Sequence, residues 1–238
     1  MRPDRLNPLF ADAASLKGVG PQLARPMEKL GLTRVKDLAY HLPDRFVERR
    51  AVADLDAASV GENIIVALTG QDYRGAASGR GPFRVLAADA VGNICAVTYF
   101  GRNTGWTKKQ WPLGETRWVA GRLDRYGEML QIVHPDHVGE AGSSLLGQLT
   151  EPVYPLSEGL TQGRISALIA QAMERVDDLP EWIEPGLLAR MQWPGWRDAL
   201  AAAHKGDHPP ARDRLAYDEL LANALALMLV RNANRART

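Results

Sequence analysis

Between Glu62 and Val138 the sequence breaks into short runs of β-branched and aromatic residues, and this spacing constrains the fold more than any other feature. The runs Asn63 to Thr69, Phe83 to Ala88, Asn93 to Phe100, Arg117 to Leu123 and Glu128 to Val133 are each of strand length. Turn residues separate them, including Val91-Gly92-Asn93 and Tyr126-Gly127-Glu128. Five strands with a helical or irregular insert between the third and fourth match the strand content of an OB-fold β-barrel. Gly75 to Gly81, with Ala, Ser and Arg between, reads as an exposed loop joining the first two strands.

The insert and its flanks carry the most suggestive chemistry. Val97-Thr98-Tyr99-Phe100 is followed by a polar stretch, then Trp106-Thr107-Lys108-Lys109, Trp111 and Arg117-Trp118. Side chains alternate along a strand, so Tyr99 and Phe100 face opposite ways and one of them stays exposed at the strand end. Arg102-Asn103-Thr104-Gly105 gives Trp106 little local apolar cover. Rings stack on exposed bases while cations hold phosphates, a pairing suited to single strands and duplex ends. Phe100 and Trp106 are therefore the candidate stacking residues, with Arg102, Lys108, Lys109, Arg80 and Arg84 as candidate phosphate contacts. In the competing reading, Trp106, Trp111 and Trp118 only pack the barrel end; Trp111 and Trp118 are expected to do so.

The flanks are helical. Leu16-Lys17-Gly18-Val19-Gly20-Pro21 reads as a tight turn, with Pro21 at the first position of a helix carrying Leu23, Met27 and Leu30. Gly31 suits its C-terminal stop, and Thr33 can cap a second helix that Pro43 closes. This hairpin resembles a helix-hairpin-helix, whose Gly18 and Gly20 amides could meet one backbone phosphate; a purely packing turn is the alternative. Arg45, Arg49 and Arg50 suit either backbone contacts or salt bridges to Asp44, Glu48 and Asp54. Helical periodicity returns from Gly163 to Val176 and again from about Arg212 to Arg231. The expected fold class is α+β, with an N-terminal helical region (1–58), a five-stranded OB-fold (59–140) and a linker with C-terminal helices (141–238).

Composition narrows the function classes. Ten Lys/Arg face six Asp/Glu over residues 1–50, and nine face seven over 60–138, but ten face thirteen over 139–238. The positive potential therefore lies in the first 140 residues, where a polyanion is drawn. None of the six lysines follows a glycine, so no P-loop is present. Asp218-Glu219 lies mid-helix without a preceding apolar strand, and His134-Pro135-Asp136-His137 reads as a strand-end turn rather than a metal site. The lone Cys95 sits in an apolar strand as a small core residue. Neither a signal sequence nor a run of 18 apolar residues is visible, and one cysteine fits a reducing cytoplasm.

A string of short segments resembles the N-terminal, non-motor part of RecG-type ATP-dependent DNA helicases. In order these are Leu16-Lys17-Gly18-Val19-Gly20-Pro21, Lys29-Leu30-Gly31, Val35-Lys36-Asp37-Leu38, Leu42-Pro43 with Arg45-Phe46, and Thr98-Tyr99-Phe100. Val119-Ala120-Gly121, Gln131-Ile132-Val133-His134-Pro135, Pro152-Val153-Tyr154-Pro155 with Gly159-Leu160, and Arg214-Leu215-Ala216-Tyr217-Asp218-Glu219-Leu220-Leu221 follow. The resemblance implies a bacterial, nucleoid-associated wedge domain at the branch point of replication forks and Holliday junctions, acting in DNA recombination and repair. Two aromatics would cap the terminal base pairs where the arms part. Phe100 matches the first, and Trp106 stands nearest the place of the second, commonly a tyrosine. The family's motor lobes have no counterpart here, so ATP and magnesium are expected only with motor domains supplied in cis or trans. The chain alone is expected to be a monomer that binds branched DNA without hydrolysing ATP, without cofactor and without membrane contact. A stand-alone OB-fold protein for single-stranded DNA or RNA is the alternative.

Overall fold

The computed structural model describes residues 3–75, 81–101, 104–140, 149–206 and 208–235. The chain is α+β and divides into two compact units, Val47–Glu151 and a second built from Met1–Phe46 with Pro152–Thr238.

The discontinuous unit is helical. Its N-terminal part holds α1 (Asn7–Phe10), α2 (Pro21–Lys29) and α3 (Val35–Ala39). Gly18 takes φ +93°, a conformation costly for a residue with a Cβ, and Pro21 opens α2 as its spacing predicts. Gly31, at φ +74°, ends it. Thr33 does not cap α3; Arg34 holds that position, and the Asp37 carboxylate accepts from the Arg34 and Thr33 amides at 2.7 and 3.0 Å.

The C-terminal part of this unit follows Pro152. It comprises α5 (Gln162–Glu174), α6 (Pro185–Met191), α7 (Trp196–Lys205) and α8 (Pro209–Arg235), α4 (Thr104–Gln110) lying in the other unit. Leu23, Met27 and Leu38 share one core with Ile165, Leu168, Leu200 and Leu215, so the two terminal helical segments fold together. In α8 only the first turns are buried; Leu220, Leu225, Leu227, Met228, Leu229 and Val230 are exposed. Among the described residues no helix is long and apolar enough to cross a membrane.

The other unit is built on strands. The chain leaves the helical unit within β1 (Arg45–Glu48) and returns within β9 (Thr150–Val153), which pair with each other. Between them run β2 (Arg50–Ala51), β3 (Asn63–Arg74), β4 (Phe83–Ala88) and β5 (Ile94–Tyr99). The helix α4 (Thr104–Gln110) precedes β6 (Thr116–Tyr126), β7 (Met129–Val133) and β8 (His137–Glu140). These form a seven-stranded sheet in the order β2-β3-β4-β5-β7-β6-β8, not the five strands expected.

The two extra strands are short edge pieces, β2 parallel to β3 and β8 antiparallel to β6. The sheet also pairs β3 with β6, so the ladders run in a circuit β3–β4–β5–β7–β6–β3. The length of β3 makes this possible. Its first half, Asn63 to Thr69, pairs with β6 and its second half with β4, with a bulge between Gly70 and Asp72 that bends the strand.

Alternation along the strands sends Ile64, Val66, Leu68, Val85, Ala87, Cys95, Val97, Leu123 and Ile132 into one core. Trp111 joins them and is fully buried. Burial pushes the Cys95 thiol up to about 12, so it stays protonated and inert. The basic stretch after Pro43 forms salt bridges, but not to the neighbours expected. Arg49, buried, reaches Asp136 at 2.8 Å and Glu151 at 2.7 Å, and Arg50 reaches Glu62 at 2.6 Å.

Candidate nucleic-acid interface

The end of β5 builds a small cleft. Tyr99 turns inward against the sheet core and its hydroxyl accepts from Trp111 Nε1 at 2.9 Å. Burial pushes its phenol up to about 12, so it remains neutral. Phe100, the next residue, faces the opposite way and is 60% exposed. Gly101 follows at φ +143°, which a residue with a Cβ rarely adopts, and turns the chain away from the strand.

Four contacts hold the returning helix α4. Thr107 is buried, Trp111 plugs the core, and the Arg117 guanidinium donates to the Gln110 carbonyl at 3.0 Å while pairing with Glu115 at 2.6 Å. The Tyr73 hydroxyl donates to the Trp111 carbonyl. Anchored this way, α4 presents Trp106, half-exposed, with its ring edge-on to Tyr99 at 6.4 Å. Lys108 and Lys109 lie on the exposed side of the same helix, with Lys108 Nζ 5.3 Å from the Tyr73 ring centre.

His134 completes the cleft. It follows β7, whose parallel pairing sets Val133 opposite Thr98, and its amide donates to the Thr98 carbonyl at 2.9 Å. At φ +46° it holds a left-handed backbone that a non-glycine residue adopts only under constraint. Its Nε2 accepts the Phe100 amide at 3.1 Å, which leaves the ring proton on Nδ1 in the neutral form. Its ring stands 5.7 Å from Phe100 and edge-on to Tyr99 at 6.0 Å. Phe83, Tyr99, Phe100, Trp106, Thr107 and His134 line a cleft of about 200 Å³.

The structure thus gathers Phe100, Trp106, Lys108 and Lys109 at one end of the sheet. Arg84 lies on the outer face of β4, opposite Thr98 in the ladder. Arg80 and Arg102 lie outside the described residues. Gly18 and Gly20 belong to the helical unit, where with Lys17 and Arg164 they border an open cleft of about 790 Å³. His134 was missed as a site residue, because its neighbourhood depends on a parallel pairing that sequence spacing does not reveal. No group of three His, Cys, Asp or Glu side chains among the described residues could hold a metal ion.

Chemically the cleft offers two exposed aromatic rings, Phe100 and Trp106, with the Lys108 and Lys109 ammonium groups on the helix beside them. That set suits stacking and phosphate contact. A family model described as the RecG wedge domain matches residues 13–176. The chain belongs to the RecG wedge domain family.

Its relatives agree with this wedge assignment. The chain is 31% identical over 234 residues to the ATP-dependent DNA helicase RecG of Acidithiobacillus ferridurans, covering 94% of this chain and 33% of that protein. It is 27% identical over 238 residues to the RecG of Bacillus subtilis, again covering 94% and 33%. The wedge chain therefore spans about a third of the length of these curated relatives. A solved RecG bound to a three-way DNA junction superposes with a TM-score of 0.74 over 94% of this chain and 31% of that one, at 21% identity. The likeness to that structure concerns the fold.

Proposed function

We propose that this chain binds branched DNA as the wedge of a RecG-type helicase, inserting Phe100 and Trp106 where two arms of a fork or Holliday junction part. The circuit of ladders through β3, β4, β5, β7 and β6, with α4 between β5 and β6, is read as an OB-fold with short added strands. The observation that carries the proposal is Phe100, a large ring left 60% exposed at a strand end with its backbone amide held by a histidine. Leaving that ring in water is unfavourable unless another surface covers it. The terminal base pair of an opened duplex is such a surface, because stacking on a ring replaces the stacking lost when the next pair opens.

Lys108 and Lys109 stand beside the rings to hold the adjoining phosphates, and Gly18 and Gly20 supply a second, backbone contact in the helical unit. ATP hydrolysis and strand separation belong to motor domains in cis or in trans, where ATP and magnesium would bind. The reading includes a bacterial, cytoplasmic and nucleoid-associated setting and a monomeric chain.

A gel-shift competition between a three-way fork and single-stranded DNA of equal length tests this. Preference for the fork is expected. Equal affinity for the two DNAs would favour a plain single-strand binder and overturn the wedge. Phe100→Ala and Trp106→Ala are expected to weaken fork binding more than duplex binding, and neutrality of both would withdraw the stacking roles.

A further inference from the structure

In the helical unit, one stripe of α5 builds a cationic cleft with the turn that precedes α2. Arg164, Ala167, Leu168 and Gln171 recur at i, i+3, i+4 and i+7 and so share one face of the helix. Gln171 latches the turn to that face. Its Oε1 accepts the Lys17 amide at 2.9 Å and its Nε2 donates to the Lys17 carbonyl at 3.2 Å. One helical turn further on, the Arg175 guanidinium donates to the Ser15 hydroxyl at 2.9 Å and to the Ser15 carbonyl at 3.2 Å. Val19 packs against the core, while Lys17, Gly18 and Gly20 stay exposed. The small Ala167 leaves open the space of about 790 Å³ between Arg164 and the turn, floored by the buried Leu23 and Leu168.

We propose that this cleft grips the sugar–phosphate backbone of a duplex arm, an inference that rests on the branched-DNA reading. Charge selects a polyanion. Lys17 and Arg164 flank the cleft, neither side chain is tied to an acid among the described residues, and no acidic residue among them lines it. The lining holds no aromatic side chain either, so it offers no platform on which unpaired bases stack. Single strands gain little from such a surface, whereas a duplex presents its phosphates with its bases already stacked.

The spacing fits one backbone of that duplex. The seven residues from Arg164 to Gln171 advance about 10 Å along α5 at about 1.5 Å each, and Gln171 is the residue that holds Lys17. Along one strand of a duplex this length is about three steps of about 3.4 Å. The two long side chains therefore reach phosphates of the same strand without the duplex entering the cleft. Gly18 and Gly20 border the same cleft, so the backbone contact proposed above joins them, and Gln22 adds an uncharged donor. Contacts of this kind touch no base edge and carry no sequence preference.

The test is fluorescence anisotropy of the whole chain on a linear duplex, a three-way junction and single-stranded DNA, each between about 50 and 200 mM salt. Lys17→Gln combined with Arg164→Gln is expected to lower the slope of log affinity against log salt by about 1.8 on the duplex and the junction, about 0.9 for each phosphate contact. Over that salt range the double variant should lose about twelvefold less affinity than the parent chain. Its slope on single strands should not change. Ala167→Glu keeps both cations but puts a carboxylate into the cleft, and should weaken duplex binding about tenfold. Arg197→Gln, exposed on α7 outside the cleft, controls for net charge and should leave every slope as it was. Unchanged duplex slopes in the double variant, as an acidic protein partner would leave them, would overturn the cleft. So would a fall on single strands alone, or an equal fall per charge with Arg197→Gln. In each of these cases a surviving preference for the junction over single strands leaves the wedge standing. A parent chain without that preference would fail the wedge reading, and the slope on linear duplex would still decide the cleft. Lys17, Arg164 and Ala167 are exposed, so circular dichroism melts separate a folding defect from a binding one.

Discussion

Replacing His134 by alanine is expected to loosen Phe100 without removing it. The substitution deletes the acceptor of the 3.1 Å bond from the Phe100 amide and the ring standing 5.7 Å from the Phe100 ring. A net hydrogen bond contributes about 0.5–1.5 kcal/mol. A favourable ring pair adds a similar amount, and with Phe100 so exposed the lower end of both ranges applies. Stability should therefore fall by about 1 kcal/mol, a shift in urea midpoint that leaves the fold intact. For binding, the deficit is the order His134 imposes beforehand, about 0.5–1.5 kcal/mol for one immobilised side chain. Fork affinity should drop by roughly twofold to tenfold. Phe100→Ala, which removes the stack itself, should cost about 1–3 kcal/mol. Because His134 acts through Phe100, the double variant should bind forks no worse than Phe100→Ala alone. A double-mutant cycle by fluorescence anisotropy measures this. His134→Asn, a residue at ease with left-handed φ, controls for backbone displacement. If the two losses add, His134 touches DNA independently and the positioning argument is refuted.

Three further outcomes follow from the packing. His204 is buried, and because Nε2–H donates to the Ala39 carbonyl, its Nδ1 accepts from Tyr154; burial foremost lowers its pKa below the ordinary 6.5. The fold therefore favours the neutral ring, so this contribution is full above pH 6.5 and shrinks as pH falls below it, when only the unfolded chain takes the proton. Thermal melts from pH 8 to 5 should show a loss that His204→Gln lacks, and parallel curves would contradict the assignment. Arg214, with no exposed side-chain surface, pairs with Glu181 at 2.8 Å and Asp218 at 3.0 Å. Arg214→Ala leaves those carboxylates facing each other without their cation and should cost about 3 kcal/mol in urea unfolding; an unchanged midpoint would show the triad is not integral to the fold. Gly101→Val, at φ +143°, should cost about 1–3 kcal/mol and misplace Phe100, lowering fork affinity as well; an unaltered melt would show that the turn tolerates a side chain.

The core strands were legible because β-branched runs alternate with Gly-Asn punctuation, as at Val91-Gly92-Asn93, and a period of two leaves one face apolar. Tyr99 and Phe100 were separable for the same reason: adjacent residues on a strand cannot both be buried in one core. The edge pieces β2 and β8 were not legible. Two residues, Arg50 and Ala51, carry no period, and His137–Glu140 hydrogen-bonds to β6 through backbone that any side chain allows. The pairing of β1 with β9 joins residues about a hundred positions apart, beyond any local signal. The bend of β3 turns on a bulge at Gly70, where one residue more or less in register leaves no compositional mark. His134 lay hidden for a related reason. Its turn chemistry was evident from Pro135, but its place beside Phe100 comes from β7 running parallel to β5, a choice made by the whole sheet.

The ladder that returns β6 to β3 leaves those five strands without a loose margin from which to unzip. A push on Phe100 enters β5 and is shared at once with β4 and β7, then with β3 and β6, so backbone hydrogen bonds must shear together instead of peeling one after another. The wedge role proposed above asks for a surface stiffer than the base pairs pressed against it, and a circuit of ladders of this kind supplies that stiffness from five strands.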